Sequence, residues 1–309
     1  QNPADERRTT VPQMTPRVTV PEVHERVEPP LGEFWELIKQ DRAHRRRLQR
    51  LGADKRRAVI TIVHNEPVFL PIWLGYYSRF FAPDDIYVLD NDTTDGSTDR
   101  DGFNRIPVHR DSVDHTWMVE TVQRLQHELL EGGYDAVLVT DVDEIVVPAP
   151  EWGDLGAYMD EFSEWFVNCI GYEILHLADR EAPYDPSRPI LDQRGYWYAN
   201  GAYNKPALAT GPMSWLPGFH HRADGQLNYD PYLRLIHLHR LDIEVCRARH
   251  EVRQRRDWGE RDLDENWAAY NRIAGGDEFE RWFYEDSGFE DDGIHILLER
   301  IPESWRGLF

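Results

Sequence analysis

Ala136-Val137-Leu138-Val139-Thr140-Asp141-Val142-Asp143-Glu144-Ile145-Val146-Val147-Pro148 is the stretch on which the fold reading turns. Four successive apolar residues bounded by polar ones read as a short strand buried on both faces. Two earlier runs have the same form. Ala58–Val63 ends in His64-Asn65-Glu66-Pro67, and Ile86–Leu89 ends in Asp90-Asn91-Asp92. Helical spacing fills the gaps between them. Phe69, Trp73, Tyr76 and Phe80 make one apolar stripe; Met118, Val122, Leu125 and Leu129 make another, stopped by Gly132-Gly133. Asn65 is expected to cap the first of these helices, with Pro67 in its first turn. Strands alternating with helices predict an α/β fold with a mostly parallel sheet covered on both faces. Strands ending near Val63, Leu89 and Val139 should then be parallel neighbours. Their polar clusters should share the carboxyl rim, where open α/β sheets bind ligands.

Outward from this region the pattern loosens. Residues 1–30 carry Pro12, Pro16, Pro21, Pro29 and Pro30 among charged residues and read as an extended arm without its own core. Glu33–Leu51 has partial helical spacing, with Gly52 as a stop. Downstream, Trp165–Ile170 and Tyr232–His239 read as strands and Pro183–Pro189 as a loop. Asn266–Tyr284 reads as a helix interrupted at Gly275-Gly276, and Ile294–Phe309 as a terminal segment with apolar anchors. The expected organisation is an N-terminal arm and helix (1–55), a central domain (56–250, with halves 56–150 and 151–250) and a helical C-terminal extension (251–309).

The chain has 35 Lys and Arg against 56 Asp and Glu, a net charge of −21, which repels phosphate backbones and excludes a nucleic-acid partner. An anionic small ligand needs the field offset locally, most simply by a divalent cation. Arg45-Arg46-Arg47 and Lys55-Arg56-Arg57 are short basic blocks, expected on solvated helix and linker faces, with a peripheral contact to anionic lipid as the alternative. Cys169 and Cys246 are the only cysteines, so no disulfide framework is implied and a reducing, cytoplasmic setting fits. No run reaches the length of a transmembrane span. The only lysines are Lys39, Lys55 and Lys205; such a preference for arginine fits a GC-rich bacterial genome.

Asp141-Val142-Asp143 concentrates the chemistry. If the backbone bends after the strand, both carboxylates reach one pocket, where hard oxygen ligands suit Mg²⁺ or Mn²⁺ and phosphate oxygens complete the shell. The competing reading is a solvated acidic loop. Short polar groups at His64–Glu66 and Asp90–Asp92 can hold a base and ribose, or else serve as cap and turn residues.

Taken together, Ile62-Val63-His64-Asn65-Glu66, Leu70-Pro71-Ile72-Trp73-Leu74, Tyr87-Val88-Leu89-Asp90-Asn91-Asp92, Asp95-Gly96-Ser97-Thr98-Asp99 and Asp141-Val142-Asp143-Glu144 resemble the donor half of glycosyltransferase family 2-like proteins. The likeness is close from about Arg57 to Pro150. It is looser to about His250, through Gly171, Gln193-Arg194, Lys205-Pro206, Gly218-Phe219-His220 and His237-Leu238-His239-Arg240. It implies a GT-A type, Rossmann-like fold and metal-dependent transfer of a sugar from a nucleotide diphosphate sugar to a hydroxyl acceptor, with inversion. The nucleotide site would then take in Val63, His64, Asn65, Glu66, Asp90, Asn91 and Asp92. Asp141 would meet ribose or metal, and Asp143 the metal. A downstream histidine commonly completes the metal shell in this group; of His220, His221, His237 and His239, the Gly218-Phe219 loop favours His220. Lys205 and Arg194 are candidates to neutralise phosphate, and Trp117, Trp197 and Trp215 to stack on sugar if they are not core. Glu173 and Asp192 are the candidates for the base that takes the acceptor proton. A sugar nucleotidyltransferase and a non-catalytic carbohydrate-binding protein remain as alternatives. Asp143→Ala is expected to abolish Mn²⁺-dependent donor binding and leave the fold intact, because a loop carboxylate adds little to a core.

Overall fold

A computed structural model describes residues 31–285 and 296–309. The expected arm over 1–30 lies outside the described residues, as does the start of the terminal segment at 294–295. The chain divides into two compact units, Gln1–Arg42 and Ala43–Phe309. Helix α1 (Leu31–Leu51) runs from the first into the second.

The second unit opens with β1 (Arg57–Val63), α2 (Phe69–Tyr77), β2 (Ile86–Asn91), β3 (Asn104–Val108), a short β4 (Ser112–Val113), α3 (His115–Glu131) and β5 (Ala136–Val139). Strands β1 and β2 are parallel, as are β1 and β5, and β2 and β3. The three strand ends expected to be neighbours therefore lie in the order β5-β1-β2. Alternation along β1 explains why no residue of the run is polar outward. Val59 and Val63 pack on one face with Phe69, Leu70, Trp73 and Tyr77 of α2. Ala58, Ile60 and Ile62 pack on the other with Val119, Val122 and Leu129 of α3. A parallel strand sandwiched in this way is apolar at nearly every position, buried Thr61 being the exception in Ala58–Val63.

Next come β6 (Glu144–Pro148), α4 (Leu155–Glu161), β7 (Phe166–Ile174), α5 (Ile190–Gln193), β8 (Tyr196–Ala199), β9 (Pro206–Ala209) and β10 (Tyr229–His237). Here the sheet turns mixed. Strand β9 is antiparallel to both β5 and β7, and β10 lies parallel to β7 and antiparallel to β6. The chain continues through α6 (Ile243–Gln254), β11 (Asp257–Trp258), α7 (Glu260–Asp264), α8 (Gly276–Glu285) and β12 (Glu299–Arg300), which pairs with β8. The helix expected over Asn266–Tyr284 is in fact a 3₁₀ turn at Ala269–Arg272 followed by α8, with Gly276 at φ +69°.

Two local expectations are corrected. Asn65 does not cap α2, whose N-cap is Val68. It sits instead at φ 53°, and its Oδ1 accepts from the backbone N–H groups of Thr94 and Asp95, at 2.8 and 3.2 Å. Within the basic block at 55–57 only Arg56 is exposed as expected. Lys55 is buried, and its Nζ donates to the carbonyls of Met159, Asp160 and Phe162, the orphan acceptors at the end of α4. Arg57 pairs with Asp160 at 2.6 Å. No helix among the described residues is long and apolar enough to cross a membrane.

Candidate active site

The chain bends sharply between β5 and β6. The N–H of Glu144 donates to the Asp141 carbonyl at 3.0 Å, and the Glu144 carboxylate turns back to accept from the Asp141 N–H at 2.9 Å. Asp141 and Asp143 both reach one cleft of roughly 270 Å³ at the carboxyl rim of the parallel strands, together with Val63, His64, Glu66 and Asn91. The register of β10 supplies the opposite wall. His237 stands beside Glu144 across the β6–β10 pair, and the Leu238 N–H donates to the Asp143 carbonyl at 2.8 Å. That clip places His237 and His239 on either side of buried Leu238, with their rings 5.6 Å apart and both facing Asp143.

The electrostatics follow from burial and close counter-charges. Asp143 Oδ2 lies 3.3 Å from His237 Nε2 and 3.3 Å from His239 Nδ1, and it accepts a hydrogen bond from Arg249 Nη1. Burial by itself would raise the Asp143 carboxyl; Arg249 and His237 outweigh it and hold the group well below the usual carboxylate range. His237 is also pulled both ways. Burial would depress it, but Glu173, 2.8 Å from its Nδ1, and Asp143 lift it to about 9. Lys205 Nζ lies 2.6 Å from both Asp141 Oδ2 and Glu144 Oε1. Burial lifts Glu144 to about 7 against the pull of Lys205, whereas in Asp141 the lysine overcomes burial and the net shift is downward.

Helix α6 and the turn that follows it face these acids with cations. Arg249, Arg253 and Arg256 all line the cleft. Arg249 holds Glu66 Oε1 through Nε and Nη2, at 2.9 and 2.8 Å, and Arg253 lies 3.5 Å from the same oxygen. Burial lowers the Arg256 guanidinium, whose Nη2 donates to the Arg110 carbonyl at 3.0 Å. Trp267 and Tyr270 close the same side. Trp267 is flanked by Asn266 and Ala268, which have φ values of 54° and 47°.

No protein-family model matches this chain, and no curated protein matches it.

Two groups of potential metal ligands occur among the described residues. The ligand atoms of Asp143, His237 and His239 lie within 4.8 Å of one another, and so do those of His239, Cys246 and His250. Hydrogen bonds already account for the histidines of the second group. His250 Nδ1 donates to the Ile273 carbonyl at 2.6 Å, so its Nε2 accepts, and His239 Nε2 donates to it at 2.7 Å. Cys246 is buried, and burial pushes its thiol up, away from the thiolate a metal needs. The first group presents an oxygen and two nitrogens directly onto the cleft, a donor set that fits Mn²⁺ better than Mg²⁺.

The remaining sequence candidates are scattered. His220 lines the cleft; its Nδ1 donates to the Ala202 carbonyl, which leaves Nε2 as the lone-pair nitrogen, and burial followed by Lys205 pushes it down to about 3. The histidines that converge on Asp143 are His237 and His239. Asp90 is buried behind the rim, accepting from Thr93 N, Thr98 Oγ1 and Arg105 Nε, so it shapes the 93–98 loop. Asp92 is exposed and pairs with His109. Neither these two nor Asn65 lines the cleft. Arg194 is fully buried elsewhere, donating to the carbonyls of Leu241 and Ala182 and pairing with Asp242. Glu173 is buried behind His237, and exposed Asp192 accepts from the Gly307 N–H. Trp117 is part of the α3 face cluster, while Trp197 and Trp215 are core.

Arg249, Arg253 and Arg256 were missed by the sequence reading. Their i, i+4, i+7 spacing in an acidic chain was the available signal.

Proposed function

We propose that this protein transfers a sugar from a nucleotide diphosphate sugar to a hydroxyl acceptor, with a divalent cation, within the cleft at the end of β5. The observation that carries the reading is the pairing of walls. Carboxylates and imidazoles on the strand rim face Arg249 and Arg253 of α6 and Arg256 of the turn that follows it, in a chain that is otherwise strongly acidic. Such a row suits a diphosphate, whose charge the overall field would otherwise exclude. The resemblance of the Val63–Glu66 and Asp141–Glu144 segments to family 2-like glycosyltransferases points the same way.

In this reading the acceptor hydroxyl oxygen attacks the anomeric carbon as its bond to the diphosphate breaks; the diphosphate leaves with the electron pair, and the hydroxyl proton passes to solvent at the open mouth of the cleft. Arg253 and Arg256 neutralise the charge that develops there. A bound cation held by Asp143, His237 and His239 would add Lewis-acid stabilisation of the same leaving group. Glu173 orients His237 through Nδ1, leaving Nε2 toward the cleft; it is a positioning residue, not the proton acceptor. Lys205 holds Asp141 at the rim. Asp192 has no part in this scheme.

Calorimetry with UDP, GDP and dTDP, with and without Mn²⁺, tests the proposal. Binding of at least one diphosphate, strengthened by Mn²⁺, is expected. Absence of nucleotide binding together with binding of free glycans would move the reading to a carbohydrate-binding protein. Release of inorganic diphosphate from a nucleoside triphosphate and a sugar phosphate would move it to a nucleotidyltransferase.

A further inference from the structure

His239 carries one lone pair that faces the candidate metal position, and something already uses it. The Ile273 carbonyl takes the Nδ1 proton of His250, which makes His250 Nε2 an acceptor. His239 Nε2, 2.7 Å away, must therefore hold the donated proton. A neutral imidazole has a single proton and a single in-plane lone pair, so His239 Nδ1 is an acceptor. Its partner is Arg249 Nη1 at 3.0 Å, the same nitrogen that donates to Asp143 Oδ2. Two of the three atoms that would face an ion are thus engaged by one guanidinium nitrogen. An imidazole lone pair cannot accept a hydrogen bond and coordinate a cation together.

We propose that Arg249 holds the ion's place, and that a divalent cation enters only as Arg249 Nη1 leaves Asp143 and His239. The proposal rests on the metal half of the function above. The guanidinium has a second home, because Nε and Nη2 both donate to the single oxygen Glu66 Oε1, about which the rigid fork can pivot and carry Nη1 away from Asp143. Since Arg249 lines the cleft, an incoming diphosphate draws the freed N–H toward itself. Nucleotide and metal then favour each other: the nucleotide takes the arginine, and the vacated atoms take the ion. The coupling is reciprocal in binding free energy. Arg249 is in this sense a positioning residue, acting through the availability of Asp143 and His239.

The test is Mn²⁺ titration of the full chain by electron paramagnetic resonance, without nucleotide and with UDP. Arg249→Met should bind Mn²⁺ at least about tenfold tighter than the wild type when no nucleotide is present. The gain in Mn²⁺ affinity from UDP should be smaller in this variant than in the wild type. Adding Asp143→Asn should abolish the tightening and so locate the ion. Glu66→Gln should act in the opposite direction, weakening Mn²⁺, because a neutral amide oxygen holds the guanidinium less firmly than the carboxylate and leaves it more strongly bound to Asp143. Unchanged or weaker Mn²⁺ binding by a folded Arg249→Met overturns the proposal. If that variant does not fold, Glu66→Gln decides: Mn²⁺ binding as tight as the wild type overturns it, and weakened binding supports it. Failure here alongside Mn²⁺-strengthened UDP binding by the wild type leaves the transferase reading standing. Tight Mn²⁺ binding by Arg249→Met with no nucleotide binding by any form would remove the transferase reading and leave the exchange.

Discussion

Asp143→Ala should unfold this protein at a markedly lower temperature, in contrast to what its place in a turn suggests. The carboxylate is 4% exposed and is the common acceptor for Arg249, with His237 and His239 each 3.3 Å away. Removing one partner from a buried ion pair costs about 3–5 kcal/mol, because the other charge is left without compensation. Here the lower end applies. Arg249 keeps two hydrogen bonds to Glu66, and His237 keeps Glu173. At about 2–4 °C per kcal/mol for a domain of this size, a loss of about 3 kcal/mol lowers the melting temperature by roughly 6–12 °C. Differential scanning calorimetry of wild type, Asp143→Ala and Asp141→Ala checks this without any ligand. Asp141→Ala is the control: its side chain is 34% exposed, and Lys205 retains Glu144. The smaller drop should be in that variant. If Asp143→Ala melts within about 2 °C of the wild type, or if Asp141→Ala is the more damaging change, the network described around Asp143 does not carry stability.

Lys55→Met leaves three carbonyls at the end of α4 without their donor, and should cost about 3 kcal/mol at the usual penalty of about 1–3 for an unsatisfied buried group. Its nucleotide binding at low temperature should match the wild type, because Lys55 does not line the cleft. Arg253→Ala and Arg256→Ala should each weaken UDP binding about tenfold, equivalent to about 1.4 kcal/mol, and make it less sensitive to salt. Unchanged UDP affinity in both would remove the arginine row from the site. Cys169 and Cys246 are both buried with thiols pushed up by burial, so a thiol reagent at pH 8 should label neither until guanidinium unfolds the chain. Rapid labelling of the native protein would contradict their placement. Gly171→Ala should disturb the wall that carries Tyr203, since a Cβ there would lie 2.5 Å from the Asn200 carbonyl and 2.6 Å from Tyr203. A drop in melting temperature is expected, and an unchanged melt would show that the turn can move aside.

Periodicity alone determined the parallel core of this protein. Ala58–Val63, Ile86–Leu89 and Ala136–Val139 are apolar at every position or nearly so, and only a strand covered on both faces requires that. The helical stripes between them then require crossovers, and crossovers bring the polar clusters to one rim. Asp141, Asp143, His64 and Glu66 were legible for that reason. The mixed half of the sheet was less so. Strands β7 to β10 owe their order to pairing between distant segments, and that pairing leaves little local trace. The choice of histidine belonged to tertiary structure. His220 follows a glycine turn and lines the cleft, while His237 and His239 reach Asp143 because β10 runs antiparallel to β6 and Leu238 is clipped to the Asp143 carbonyl. Arg194 and Asp90 looked equally suited to a ligand, yet each is consumed by neighbours far away in sequence or behind the rim. Sequence specifies which groups a chain has to offer. Whether a charged group faces a cleft or a partner depends on which buried counter-charge lies within hydrogen-bond distance, and only the folded chain brings those together.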